Sequence, residues 1–590
     1  MEMQHERNPL RPPRARRRPG EQTEGDIPPV DETMDATQER SDHPGANTEA
    51  KGEKPAPPNR AWLLFIFMFA VYSLNPDYIW LNDLTPNTAL PLNILSGDGV
   101  TFSPGTHPFM FGWQYAAGDK NSFVKVNSWP PELRRQYETG ALKLVGCKYY
   151  LTESAIHGRY VNIYGLGTAL TALPVYAVME LILPDFAARP QLVRFTAREI
   201  AAALTALSAM CLYLAALRFT VRRNALIVAL AFGLGTCVWS TCSQGLWQQT
   251  PTVFYLALGT CLFVRIDERR RWLAIPCAMA MAAAVWCRPT SAVVVLCVGA
   301  WLALRDRRAF AAYALAGLPF GAALVFYNYH WLGSPFAFGQ GPASQNVAVA
   351  MTGSTSLWQT SLSDGLAGLL ASPARGLFVF SPIFLLAIPG MVRIWTSPKL
   401  AVLRPLAVAA LIILCMEAKF FCWWGGWSYG YRLVLDITVF LSLLLIPAVD
   451  LLRRNVLLCG LFAVMFLWSA AVQIIGVTLY DLDGWNCRKA TVVARSDRPN
   501  PIILLDKNEA EAMRKDPAFV KSAEVGLNVD DPAFHSRLWS ITDSPIVYYL
   551  THAGEAREHR ATQSQRYAAD ALSRLFGNAT AQPQGTESKP

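Results

Sequence analysis

The chain has 590 residues, of which 52% are hydrophobic and only 16% charged, with a formal net charge of +9. Soluble domains carry about 25% charged residues, so a string of soluble domains is excluded; apolar blocks of about 14 to 24 residues point instead to repeated crossing of a hydrocarbon layer about 30 Å thick. The basic residues sit in short clusters beside those blocks, which fits membrane orientation and argues against a nucleic-acid partner.

Residues 1–60 are polar and rich in Pro and Arg, and read as a disordered tail. Arg11, Arg14, Arg16, Arg17 and Arg18 place that tail in the cytoplasm, so the first span, 61–79, leads outward. An outer segment, 80–194, follows and contains an apolar stretch, 163–183, long enough to cross. If that stretch crosses, the basic clusters RFTVRR (from Arg218), RIDERRR (from Arg265), RDRR (from Arg305) and LLRR (to Arg454) all face outward. If it lies along the membrane surface, all four become cytoplasmic. Only the second arrangement obeys the positive-inside rule at every loop.

The remaining spans are then 195–217, 224–243, 246–264, 272–287, 290–304, 309–327, 376–392, 400–418, 432–449 and 455–478. The expected fold is an all-α polytopic membrane protein with about eleven transmembrane helices. Its large first outer loop carries a membrane-surface helix, and a second long outer loop covers 328–375. Open sheets are excluded within the bilayer, because backbone polar groups must be satisfied internally there. Residues 479–590 show mixed helix and strand signals and read as a small outer region. The expected location is the inner or plasma membrane, with the N-terminus cytoplasmic and the C-terminus outside. Most of the cysteines fall in apolar blocks and act as small hydrophobes; Cys147, Cys422 and Cys487 fall on the outer side, where one disulfide can form.

The unusual residues collect on that outer side. Beyond the first span come Asp77 and Asp83, within NPDYIWLNDLTP. Later segments are LWQQTP with Gln249, WCRPT with Arg288, YNYHWLGSPFAFGQG with Asn328, SPARGLFVFSP with Arg375, and AKFFCWWGGWSYGYRLVLD with Trp424, Tyr429 and Arg432. Arginines at the outer ends of spans run against the orientation bias. A lipid phosphate would account for Arg288, Arg375 and Arg432, since guanidinium matches phosphate oxygens two at a time. Snorkelling, or pairing with acids such as Asp436 and Glu417, accounts for them equally simply. Asp83 can act as general base toward an acceptor hydroxyl or hold a divalent cation, or it can be an ordinary helix cap.

The order of these segments resembles the GT-C type of polyprenyl-phosphate-dependent glycosyltransferase, in the broad dolichyl-phosphate-mannose–protein mannosyltransferase-like group. The residues that carry the resemblance are NDLTP, YGLGTALTALPVY, Arg198, LWQQTP, CRPT, YNYHWLGSPFAFGQ, SPARGLFVFSP and WWGGWSYGYRLVLD, over 61–478, with SRLWSITDSPIVYYL near the C-terminus. The resemblance implies a membrane glycosyltransferase that takes a sugar from a polyprenyl-phosphate donor to an acceptor on the non-cytoplasmic face, with inversion. It implies Asp83 as the catalytic acid of the first outer loop, with Asp77 as the alternative, and Arg288, Arg375 and Arg432 as donor-phosphate ligands. Gln249, Asn328, Trp424 and Tyr429 would contact substrate. Asn82 stands where relatives often have a second acid, and Gln249 where many have His, so position 249 can hydrogen-bond but not shuttle a proton. Competing expectations are a transporter or flippase of lipid-linked sugars, an oligosaccharide ligase with a pyrophosphate-linked donor, and a non-catalytic anchor.

Overall fold

The computed structural model describes residues 61–75, 83–103, 107, 110, 114–115, 123–124, 150–481, 484–497, 502–504 and 507–567. The basic tail, Asp77 and Cys147 lie outside these residues. The described part is dominated by helices: α1 Ala61–Ser73, α2 Leu84–Leu95, α3 Gly167–Ile182, α4 Pro190–Ala216, α5 Arg222–Gly235, α6 Gln249–Phe263, α7 Ala274–Cys287, α8 Ala292–Arg305, α9 Arg307–Leu332, α10 Leu362–Ala371, α11 Arg404–Lys419, α12 Thr438–Leu444 and α13 Val456–Thr478.

Among the described residues, five helical segments are long and apolar enough to cross a membrane: Pro190–Ala216, Arg307–Leu332, Pro398–Lys419, Arg432–Leu451 and Val456–Thr478. A sixth is added if Arg222–Gly235 and Cys237–Gln244, bent by 45° at Thr236, count as one. The protein is therefore a helical membrane protein. The expected count of eleven is not what these lengths give. The other predicted spans fall on shorter apolar helices, including Ala61–Ser73, Arg271–Cys287, Pro289–Arg305 and Pro382–Thr396. Pro289 and Pro382 both open a tight 3₁₀ turn. Proline has no N–H and restricts the residue before it, so helices divide there.

Small residues set the packing. The α4 sequence is rich in alanine, and Ala197, Ala201, Ala202, Ala206, Ala209, Ala215 and Ala216 are all buried. With so little side chain between backbones, α1, α5 and α6 pack closely around α4. Tyr72 on α1 donates to the Gly233 carbonyl at 2.9 Å. Helix α9 starts on a built cap, because Asp306 accepts from the backbone N–H groups of Arg308 and Ala309, each at 3.1 Å. Large apolar side chains such as Leu315, Leu318, Val464 and Leu467 stay exposed on α9 and α13, as surfaces facing lipid do.

Helix α3 is the stretch expected on the membrane surface. It has 16 residues, about 24 Å of helix, short of a full crossing. Its buried residues Ala172 and Tyr176 share a core with Leu92 of α2 and Val193, Ala197 and Ala201 of α4. Gly167 fixes its start, since a Cβ there would lie 2.4 Å from the backbone of Trp286 and Cys287.

The segments expected outside the membrane form small sheets. Strands β1 Gln114–Tyr115 and β2 Phe123–Val124 pair antiparallel, as do β3 Leu151–Glu153 and β4 Tyr160–Asn162. The C-terminal region forms a three-stranded antiparallel sheet in the order β6-β5-β7, from β5 Cys487–Arg495, β6 Ile502–Leu504 and β7 Phe519–Asn528. The region also carries helices, among them Pro545–Thr551 and Ala553–Tyr567. The region is also bound into the helical core: Ser372 donates to the Leu538 carbonyl at 2.5 Å, and Trp424 donates to Asp530 at 3.0 Å.

Candidate active site

Asp83 occupies the N-cap position of α2, yet its side chain makes no capping bond. The cap explanation for this residue therefore fails, and its carboxylate is directed elsewhere. It forms an ion pair with the Arg432 guanidinium. Arg432 also donates to the Gly425 carbonyl at 2.8 Å and lies 4.8 Å above the Trp247 ring. Both partners are mostly buried but retain some exposure.

Two tyrosines complete this cluster. Tyr164 hydrogen-bonds Asp83, and burial followed by the Asp83 charge pushes its phenol well above the ordinary range. The Tyr150 phenol is also raised, chiefly by the Asp83 carboxylate. Both hydroxyls therefore keep their protons and act as donors toward an anion. Tyr150 has φ of 54°, the one positive value at a non-glycine residue among the described residues. Such conformations cost energy in L residues and concentrate at functional sites.

A chain of amides holds these pieces. Asn162 donates to Asn87 at 2.7 Å, and Asn87 donates to the Leu246 carbonyl at 2.8 Å. Asn162 also accepts from the Tyr164 backbone N–H at 3.0 Å. These bonds join α2, strand β4 and the segment before α6, which brings Trp247 beside Arg432. The next two residues, Gln248 and Gln249, are buried, and the Oε1 atoms of both lack a hydrogen-bond partner. Buried polar atoms are normally paired, so two adjacent orphan acceptors mark a position suited to a ligand or water.

The remaining predicted residues divide differently. Arg375 is buried, and its donors go to the carbonyls of Trp424 (3.0 Å), Ala374 (2.9 Å) and Gly426 (3.2 Å) and to Asn486 Oδ1 (3.0 Å). Its guanidinium lies 5.0 Å from the Trp485 ring. Arg375 braces the glycine–aromatic loop with four of its five N–H donors. Arg288 is equally committed, donating to Asp436 at 2.6 Å and to Glu417 at 2.7 Å, with all three side chains buried. For Arg288, pairing with these acids is what the fold displays. Of the three arginines, only Arg432 reaches the Asp83 cluster.

Trp424 donates to Asp530 at 3.0 Å, and Tyr429 to the Val472 carbonyl at 2.9 Å; both are interior residues that shape the loop. Gly425, Gly426 and Gly430 all have positive φ, which lets WWGGWSYG fold back on itself. Asn328 donates to the Pro335 carbonyl at 3.3 Å and closes the turn after α9, without a bond to the cluster. Cys422 and Cys487 are not bonded to each other, so the expected outer disulfide does not form between them.

Sequence reasoning missed Asp530. This acid accepts from Trp424, and a Cβ on Gly426 would lie 3.8 Å from Asp530 Oδ1 and 4.0 Å from Arg432 Nη2. Burial raises the Asp530 carboxyl above its ordinary range. Nothing local in the sequence VDDPAF marked it, because its importance comes from where β7 delivers it.

Among the described residues, no group of three or more His, Cys, Asp and Glu is arranged to hold a metal ion. Arg432 already neutralises Asp83, and a guanidinium at that distance repels a cation. The donor set here does not fit the divalent cation considered for Asp83. Along α11, a groove of about 470 Å³ is lined by Trp358, Leu411, Ile412, Cys415, Met416 and Lys419, almost entirely through apolar atoms.

No protein-family model matches the chain, and no curated protein matches it.

Proposed function

We propose that the protein is a membrane glycosyltransferase that moves a sugar from a polyprenyl-phosphate donor to an acceptor at the non-cytoplasmic face, with inversion. The observation that carries this reading is the Asp83–Arg432 pair, with Tyr164 bonded to Asp83, Tyr150 within reach of its charge, and two orphan glutamine acceptors following Trp247 in the chain. In this reading the eleven helical segments cross the bilayer and α3 lies on its surface. The cluster then faces outward in the inner or plasma membrane.

The chemistry needs few groups. Asp83 takes the proton from an acceptor hydroxyl as that oxygen attacks the anomeric carbon. The bond between that carbon and the phosphate oxygen breaks, and the electron pair leaves on the polyprenyl phosphate. Arg432 neutralises the departing phosphate, aided by the Tyr150 and Tyr164 hydroxyls. Donor phosphate would replace the Asp83 carboxylate as the partner of Arg432, which frees the base. Gln248 and Gln249 accept hydrogen bonds from sugar hydroxyls. The apolar groove on α11 offers a bed for the lipid chain. Arg288 and Arg375 act at a distance, by holding the segment that carries Arg432.

The test is an assay of purified protein with a panel of polyprenyl-phosphate sugars, read as donor consumption. Donor turnover that is lost in Asp83→Asn and in Arg432→Ala supports the reading. Turnover unaffected by both changes moves the chemistry elsewhere, and no turnover of any donor sinks the reading.

A transporter or flippase of lipid-linked sugars is the second reading. It is favoured by the 45° break at Thr236 and by the buried Arg288–Glu417–Asp436 group, since broken helices and intramembrane charges are transporter features. Movement of labelled lipid-linked sugar across vesicles without covalent transfer would select it.

A further inference from the structure

A second cavity, of about 500 Å³, lies at the other end of the bundle from the Asp83 cluster. Arg271 and Arg288 flank α7 at its two ends, about 25 Å apart along the helix axis. Arg288 joins the Asp436 end, four residues from Arg432, whereas Arg271 belongs to the second cavity. The turns α6–α7 and α8–α9 and the segment at Val402 enclose this space.

Its walls are of two kinds. Phe263, Trp301, Leu302 and Val402 supply an apolar side, and Arg271, Arg305, Arg307 and Arg308 supply a cationic rim. The acids at the rim are Asp267, Glu268 and Asp306. Two of them are committed. Asp306 gives one oxygen to Arg271 at 2.6 Å and the other to the N-terminus of α9. Asp267 accepts from the backbone N–H groups of Arg269 and Arg270, each at 3.0 Å. The exposed Glu268 is the remaining counter-charge.

Arg305, Arg307 and Arg308 have no carboxylate within ion-pairing distance among the described residues, and all three are exposed. The Arg305 guanidinium lies 4.8 Å from the Trp301 ring, which orients it over the cavity mouth. Trp272 and Leu304 are exposed beside it, as expected of side chains at the boundary between headgroups and hydrocarbon.

We propose that this cavity binds one anionic glycerophospholipid, with its phosphate on Arg305 and Arg308 and an acyl chain against Trp301, Leu302 and Val402. A free anion would leave the apolar wall wet, and a zwitterionic lipid would bring its own cation against the arginine rim. An anionic lipid satisfies both walls, and basic pockets between membrane helices are suited to such headgroups. The site is independent of the transferase reading and would serve a transporter equally well.

The experiment uses the full chain in nanodiscs of equal phosphatidylcholine and phosphatidylglycerol, with co-purifying lipid counted by native mass spectrometry. Phosphatidylglycerol should be retained preferentially, and that preference should fall about thirtyfold in the double variant Arg305→Ala/Arg308→Ala. Arg305→Lys/Arg308→Lys should keep most of it, and Arg453→Ala, at a different basic turn, should keep all of it. A second measurement needs no variant. Phosphatidylglycerol vesicles should protect Arg305 and Arg308 from modification by phenylglyoxal, and phosphatidylcholine vesicles should not. Equal retention of the two lipids, an unchanged preference in the double alanine variant, or equal protection by both vesicles would overturn the proposal. So would protection by soluble glycerol phosphate as strong as that by lipid, which would make this a site for small anions.

Discussion

Arg432 and Asp83 lie 349 residues apart in the chain and form an ion pair, and Tyr164 hydrogen-bonds its acid. Neither residue is explained by its own helix, because Asp83 declines the cap position it occupies and Arg432 begins a 3₁₀ turn. Asp83→Asn keeps the shape and removes the proposed base, so transfer should drop by roughly 10² to 10⁴ with membrane insertion unchanged. Loss of insertion or expression in this variant would make Asp83 a folding residue instead.

Arg432→Lys keeps the charge but loses the planar fork that meets Asp83, Gly425 and Trp247 together. Donor affinity should fall at least tenfold, with a smaller effect on folding. A titration of polyprenyl-phosphate binding by fluorescence quenching would show this, and unchanged affinity would remove Arg432 from the phosphate site.

Arg375 should behave oppositely. Its four hydrogen bonds brace the loop and none faces the cluster, so Arg375→Ala should cost more than about 3 kcal/mol of stability. The thermal midpoint in detergent should fall by several degrees. A variant with normal stability and lost donor binding would restore Arg375 as a phosphate ligand.

The Arg288–Glu417–Asp436 group is buried on all sides. Removing the cation alone strands two acids, so Arg288→Met should destabilise by about 3–5 kcal/mol. Neutralising the acids in the same chain, by Glu417→Gln and Asp436→Asn, should recover much of that loss. Additive destabilisation across the triple variant would show that the three do not act as one charge-balanced unit.

Asp530 predicts a pH dependence. Burial raises its folded pKa above the ordinary 3.8, so its contribution to stability is complete below that value and is lost as pH rises through the folded pKa. Asp530→Asn removes this loss. Between pH 4 and pH 7, the wild-type thermal midpoint should decline relative to that of the variant. Parallel curves would mean that Asp530 titrates normally.

Membrane character was legible because it depends on composition and block length, quantities that one strand of sequence contains. Asp83 and Arg432 were both legible as unusual residues, one an interfacial acid and the other an arginine on the wrong side. Their pairing was not, since no local pattern encodes a contact across 349 residues. Helix lengths were less legible than the apolar blocks, because apolar length alone cannot see the 3₁₀ turns at Pro289 and Pro382 that shorten the helices.

The sequence by itself determined the solvent in which this protein folds, the segments that become helices, and the end of the bundle where odd charges gather. Only the tertiary structure decided which of three similar arginines faces an acid at a partly open site and which two are consumed by buried partners. The reason is that a guanidinium's role depends on which carbonyls and carboxylates surround it. Those neighbours come from α2, the glycine–aromatic loop and the C-terminal sheet, which meet only after packing.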